Sequence, residues 1–342
     1  MKAVFFREHG GPEVLTYGEL PDPEIGPSDV LVRVQAAAMN HLDLWMRRGL
    51  PGRTVTMPHV TGCEGAGQVA KVGSNVTGIK EGDPVIITPG WSCNRCEACL
   101  SNQDSMCLSY GMIGIKRRGC FAELVSAPAE TLYPLPLHLS YQEAASIPLV
   151  FLTAWHMLVE RARIRPGEDV LIQSAGSGVG IAGIQIAKLF GARVIATAST
   201  NAKLEKAKAL GADIVINTTE KNFAEEIRSI TGKRGVDIIF EHTGAERWEQ
   251  NILSLARNGR LITCGATSGA EAKTDLRYIY SRQLNILGSY MGGKRDLMEM
   301  LRFVREGKLK PVIDSVFPLS ELRKAQEKME ARNVFGKIVI IP

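Results

Sequence analysis

Two patterns of apolar positions follow one another along this chain. Up to about residue 130, short pieces such as "KAVFF", "DVLVRVQAAA", "GQVAKVG", "DPVIIT" and "AELVSAP" are separated by Gly, Pro and Asp turns at irregular spacing. That pattern predicts a mostly antiparallel β domain. From about residue 167 the apolar runs are short, continuous and rich in Val and Ile: "DVLIQSA", "RVIATA", "DIVIN", "VDIIFEH", "RLITCG" and "LNILGSY". Parallel strands covered on both faces read this way. Between them lie "GIAGIQIAKLFG", "NAKLEKAKALG" and "NFAEEIRSITG", each of helical length, the first two closed by a Gly suited to the position just past a helix end. Six such strands with crossover helices predict an α/β fold, a doubly wound parallel sheet beside the β-rich domain. The last stretch, from "LMEMLRF" to "GKIVIIP", reads helix, strand, helix, strand and has no partners of its own. It is expected to return to the first domain, giving 1–150 with 290–342 as one domain and 151–289 as the other.

Composition narrows the class. With 342 residues, 45% hydrophobic and 23% charged, the chain is long enough for two cores and ordinary for a globular protein. No apolar run approaches the roughly 20 residues of a membrane span, and "MKAVFFREHGG" lacks the apolar centre of a signal peptide. The expectation is a cytoplasmic protein with no membrane partner. A net charge of +5 is spread along the chain with no arginine-rich arm or lysine block, which excludes nucleic acid as the expected partner. A small, anionic ligand fits better.

The stretch "VLIQSAGSGVGIAGIQIAK" puts Gly176, Gly178 and Gly180 after a strand and before a helix. Ala175, Gly176, Ser177, Gly178, Val179 and Gly180 thus form a turn whose small residues let the backbone approach a pyrophosphate at a helix N-terminus. This is the expected dinucleotide site. An NAD site carries an acid about 20 residues further on, to hold the ribose 2′-hydroxyl. Between Gly180 and Glu205 there is no Asp or Glu; Thr197, Ser199, Thr200 and Lys203 stand there instead. Hydroxyls and a cation suit a 2′-phosphate, so NADP(H) is favoured over NAD(H).

Four of the seven cysteines, Cys93, Cys96, Cys99 and Cys107, fall within fifteen positions in "CNRCEACLSNQDSMC". Short loops of this spacing let four thiolates converge on one tetrahedral Zn²⁺, with iron–sulfur ligation the competing chemistry. A four-sulfur shell leaves no place for water or substrate, so one structural zinc per chain is expected in this lobe, 93–107.

These features together resemble the medium-chain dehydrogenase/reductase family, over essentially the whole chain. Specific phrases carry the likeness: "MNHLDLWMRRG" at 39–49, "GCEGAGQVAKVGSNVTGIKEGDPV" at 62–85, "IPLVFLTAWHML" at 147–158 and "GSGVGIAGIQIAKLFGARVIAT" at 176–197. The branch it resembles is that of zinc-type alcohol dehydrogenase-like and quinone oxidoreductase-like proteins. The resemblance implies a GroES-like catalytic domain with a Rossmann domain. In the alcohol dehydrogenase branch a second zinc is held by a Cys, a His and a later Cys, with a Glu after the His; those positions here carry Asn40, Cys63, Leu149 and Glu64. Leucine cannot bind zinc and asparagine binds it poorly, so the catalytic zinc is expected to be missing. Asp43 keeps the position of the acid beside it. A modified site of Cys63, Glu64 and His41 or His59 is the alternative.

In the zinc-independent quinone and enone reductase branch an Asn sits where Asn40 does, and an AxxGxxG turn favours NADPH; Ala175 and Gly178 match its first two positions, and Gly180 stands one residue short of the third. That branch often has a Tyr where this chain has Thr218. The resemblance also implies Thr153 near the nicotinamide phosphate and Gly265, Ala266 and Thr267, in "CGATSG", on the nicotinamide side. "NILGSYMG" resembles the edge strand that pairs subunits, so a homodimer or homotetramer is expected. The implied activity is NADPH-dependent hydride transfer to a quinone, enone or similar small molecule, with the Asn40 amide N–H or His41 donating to the substrate oxygen. Alternatives are a zinc-dependent alcohol or aldehyde dehydrogenase and a nucleotide-sensing protein without turnover.

Overall fold

The computed structural model describes residues 1–50, 52 and 54–342. The chain divides into two compact units, Met1–Leu149 with Lys310–Pro342, and Val150–Leu309. In the first, the long strand Asp29–Ala38 alternates buried and open positions before running fully buried at its end. It lies between Gly65–Val72 and Lys337–Ile341, antiparallel to both, in a seven-stranded sheet. Ile313–Pro318 adds a parallel pair at the edge, beside Lys337–Ile341. Val30, Val32, Val34, Phe121, Val125, Leu322 and Ile338 are buried in one apolar core on this sheet. The C-terminal return into this unit starts at Lys310, later than 290. The helix Lys294–Arg305 stays with the second unit because Leu297, Met300, Leu301 and Val304, spaced for one face, are buried there. Phe303 meets the Trp155 ring at 5.4 Å, and Asp296 pairs with His156 at 2.7 Å.

The second unit holds a six-stranded parallel sheet in the order Ile214–Asn217, Arg193–Ala198, Asp169–Ile172, Val236–Glu241, Leu255–Thr263, Asn285–Gly288. Its first strand in sequence lies third in space. The order therefore reverses between Asp169–Ile172 and Val236–Glu241, and in such sheets ligands bind outside the carboxyl ends of the strands at that reversal. Among the described residues no helix is long and apolar enough to cross a membrane.

Candidate active site

Strand register brings the five residues proposed for chemistry together. Val339 faces Ala38 across antiparallel strands, so the first residue of that strand, Lys337, falls opposite Asn40. On the other side, Ala37 faces Gly65, which sets Cys63 and Glu64 beside the same strand end. Asn40 then caps the helix His41–Arg48, with Asp43 one turn in. Asn40, Asp43, Cys63, Glu64 and Lys337 are all buried; His41 is exposed at the helix start.

The polar atoms of this cluster satisfy one another. Glu64 Oε1 accepts from Lys337 Nζ at 2.8 Å and from Asn40 Nδ2 at 2.8 Å. Its Oε2 accepts from the backbone N–H of Leu149 at 2.6 Å. Lys337 also donates to Met39 O and to Asn40 Oδ1, both at 2.6 Å. Asn40 Nδ2 further lies 3.3 Å from Ala38 O and 3.5 Å from Cys63 Sγ. Both N–H groups of the Asn40 amide thus have partners inside the cluster, which differs from the outward donor anticipated for it. Asp43 accepts from the N–H of Asn40 and of Gly62; burial pushes its carboxyl up to about 7 against those two bonds. Burial also pushes the Cys63 thiol well up. His59 is tied elsewhere, Nε2 to Gly114 O at 2.9 Å.

Lys337 escaped the reading of the sequence. Nearly three hundred residues separate it from Asn40, and only strand pairing joins them. The Lys-Ile-Val-Ile-Ile run marked a strand but not its neighbour.

The cysteine lobe is built differently. Cys96 opens the short helix Glu97–Leu100, Cys107 follows the turn Asp104–Met106, and a two-stranded sheet, Gly90–Trp91 with Gly111–Met112, closes the base. The four Sγ atoms all lie within 4.8 Å of one another. Cys96 and Cys99 are 3.5 Å apart, Cys93 and Cys99 3.9 Å, close to the edge of about 3.8 Å that a tetrahedron of Zn–S bonds near 2.3 Å requires. Backbone N–H groups of Arg95 and Cys96 pull the Cys93 thiol down to about 6 and the Ser92 hydroxyl lowers Cys99, while the neighbouring thiols of Cys99 and Cys93 push Cys96 up to about 11. Thiolates are what zinc needs, so this donor set fits a structural zinc. Among the described residues it is the one place where three or more Cys, His or acidic ligand atoms converge; Cys63, Glu64, His41 and His59 form no such set.

In the second unit the glycine turn joins Asp169–Ile172 to the helix Gly178–Leu189. Ser177 caps that helix, its hydroxyl accepting from Gly180 N at 2.8 Å. A Cβ on Gly180 would stand 2.6 Å from Ser174 O, so only glycine lets the helix start this close to the turn. The fit to a dinucleotide pyrophosphate is therefore good: small residues, a helix start and no acid within the turn. His242, missed in the sequence, lies 3.2 Å from Ser177 Oγ and 3.0 Å from Gln173 O. Its place right after the fourth strand was the signal available.

Gly265, Ala266 and Thr267 follow the fifth strand. Their loop is laced to that of the fourth: Thr267 Oγ1 and the Ser268 N–H both donate to Thr243 O, and a Cβ on Gly244 would strike Gly269 O at 2.6 Å. Buried Glu241 ties the base, accepting from Thr243, Gly244 and Thr263. Thr153 is buried in the helix Pro148–Trp155. At the far corner, Ser199 and Lys203 flank the cap of the helix Asn201–Ala209. There the structure adds an acid: Glu220 accepts from Asn217 Nδ2 at 2.8 Å and Asn201 Nδ2 at 3.2 Å. It comes from the next strand over, outside the interval in which an acid was sought. An open cleft of about 390 Å³ runs beside it, between residues 218–223 and 246–250.

Residues 178–306 match the family model described as zinc-binding dehydrogenase, and 26–137 match the alcohol dehydrogenase GroES-like domain. An NAD-dependent alcohol dehydrogenase of Sulfolobus acidocaldarius is 33% identical over 348 residues, covering 99% of each chain. A quinone oxidoreductase of Pseudomonas aeruginosa is 30% identical over 353 residues, covering 100% of this chain and 99% of its own. A crystal structure of an NAD-dependent alcohol dehydrogenase is 50% identical and superposes with a TM-score of 0.96, covering all of both chains.

Proposed function

Because this chain belongs to the medium-chain dehydrogenase/reductase family, in its zinc-type alcohol dehydrogenase-like branch, we propose that it is an NAD(P)-dependent oxidoreductase that passes hydride to quinones, enones or similar activated carbonyl compounds, with one structural zinc and no catalytic zinc. One observation carries this reading. At the positions where the branch carries its metal ligands stand Asn40, Cys63 and Leu149, and beside them the Lys337 ammonium holds Asn40 Oδ1 and Glu64 Oε1.

The nicotinamide, when bound, supplies the hydride. Residues 175–180 and Ser177 hold the pyrophosphate at a helix start, and the loop 264–269 lies at the carboxyl ends of the strands, where the reacting ring belongs. His41, exposed beside the cluster, donates toward the substrate oxygen as charge develops, and solvent protonates the α-carbon. The lobe of Cys93, Cys96, Cys99 and Cys107 holds its zinc in a closed shell and takes no part. For the cofactor, Ser199, Thr200 and Lys203 support NADP(H); Glu220, at the same corner, opposes it. The exposed edge strand Asn285–Gly288 supports a homodimer or higher assembly.

The second reading, a zinc-dependent alcohol or aldehyde dehydrogenase, is favoured by relatives named NAD-dependent alcohol dehydrogenase. A zinc count on purified protein, beside an NADPH and NADH oxidation screen of quinones, enones and aldehydes, separates the two. One zinc per chain with quinone or enone turnover is expected. Two zincs with alcohol oxidation would overturn the proposal.

A further inference from the structure

The geometry points to Lys337 as a positioning residue that fixes which way round the Asn40 amide stands, and therefore what Asn40 can offer a substrate. This deepens the reading of a site without a catalytic metal and rests on it. An ammonium has three N–H donors and no acceptor. All three of its neighbours at hydrogen-bond distance are oxygens: Met39 O, Asn40 Oδ1 and Glu64 Oε1. A carboxylate is the reverse, acceptor only. Asn40 sits between the two, its oxygen 2.6 Å from Lys337 Nζ and its nitrogen 2.8 Å from Glu64 Oε1.

Turning the amide over would set its NH₂ against the ammonium and its oxygen against the carboxylate. Both contacts would be repulsive, and both lie where water cannot screen them, since Lys337 is 4% exposed and Glu64 0%. Lys337 and Glu64 thus lock one orientation from opposite ends. In that orientation Glu64 and Ala38 O take the two N–H groups. What Asn40 has left is an oxygen lone pair. It meets a hydroxyl or N–H, the reduced member of a carbonyl–alcohol or quinone–hydroquinone couple, and it does not donate to a carbonyl.

The test labels Asn side chains with ¹⁵N in the full chain and measures exchange of the Asn40 NH₂ protons with water, the signal assigned by its loss in Asn40→Asp. The parent is compared with Lys337→Arg and with Lys337→Met/Glu64→Gln, which removes both charges together and leaves no lone buried ion. Slow exchange is expected in the parent and in Lys337→Arg. In the double variant it should speed up by about tenfold or more at similar melting temperature. Because the hydroquinone formed carries the hydroxyl that Asn40 Oδ1 meets, the same double variant should lose kcat for 1,4-benzoquinone with NADPH by about tenfold while its affinity for NADPH holds within about twofold. Equal exchange rates in parent and double variant, or fast exchange in the parent, would overturn the assignment. A parent that exchanges slowly but oxidises NADPH with no quinone or enone would sink the reading of function and leave Lys337 its role.

Discussion

Asp43 holds a proton that titrates near neutrality. Its carboxyl stands at about 7, far above the usual carboxylate range, because it is buried. The folded chain therefore binds that proton more tightly than the unfolded one. The stabilisation is complete below about pH 4 and is lost as pH rises through about 7. Urea midpoints of the parent and of Asp43→Asn, taken from pH 4.5 to 8, should show the parent's advantage shrinking as pH rises; an advantage constant with pH would refute this. At the proposed cofactor corner stand two opposite charges, Lys203 and Glu220. Lys203→Glu should raise the KM for NADPH by about tenfold or more and that for NADH far less, whereas Glu220→Gln should shift preference toward NADPH. Equal effects on both cofactors would remove these residues from the site. Residue by residue, the grouping of the proposed site was legible in the sequence: Asn40, Cys63 and Glu64 stand in one cluster, as do the four thiols. Orientation was not, because the Asn40 amide is turned by Lys337, a neighbour that only long-range strand pairing supplies.

At the scale of elements, the turn Gln173–Ser177 and the helix Gly178–Leu189 act as one device. Ser177→Ala removes the hydroxyl that caps the helix and should cost about 1 kcal/mol of stability, read as a lower melting temperature, together with weaker NAD(P)H binding in a fluorescence titration. Gly180→Ala should weaken cofactor binding more, since its methyl group meets Ser174 O. Unchanged titration in both variants would count against the turn as the dinucleotide site. The six parallel strands were legible because each reads as a short Val- and Ile-rich run, and their spatial order follows from winding crossovers on both faces. The return into the first unit was harder. Helix Lys294–Arg305 has the same apolar stripe whichever unit it packs against, and only its partners, Trp155 and His156, decide.

For the whole molecule, the described residues leave one side of Asn285–Gly288 unpaired, with Ile286 and Tyr290 exposed along it. Ile286→Lys should convert a dimer to a monomer in analytical ultracentrifugation, and a parent that sediments as a monomer would remove the edge from consideration. Cys96→Ser should lower the melting temperature before it alters kcat; a variant of normal stability with no turnover would argue that the lobe does chemistry. The architecture was legible because both units announce themselves by different apolar rhythms. The lobe also sets how the protein ages. Without the proposed zinc, Cys93 and Cys99 lean toward thiolate, and Cys96 lies 3.5 Å from Cys99, a pair that can cross-link in air. Chelator under nitrogen should then be harmless once zinc is returned, and chelator with peroxide should spoil the preparation until a reductant restores it.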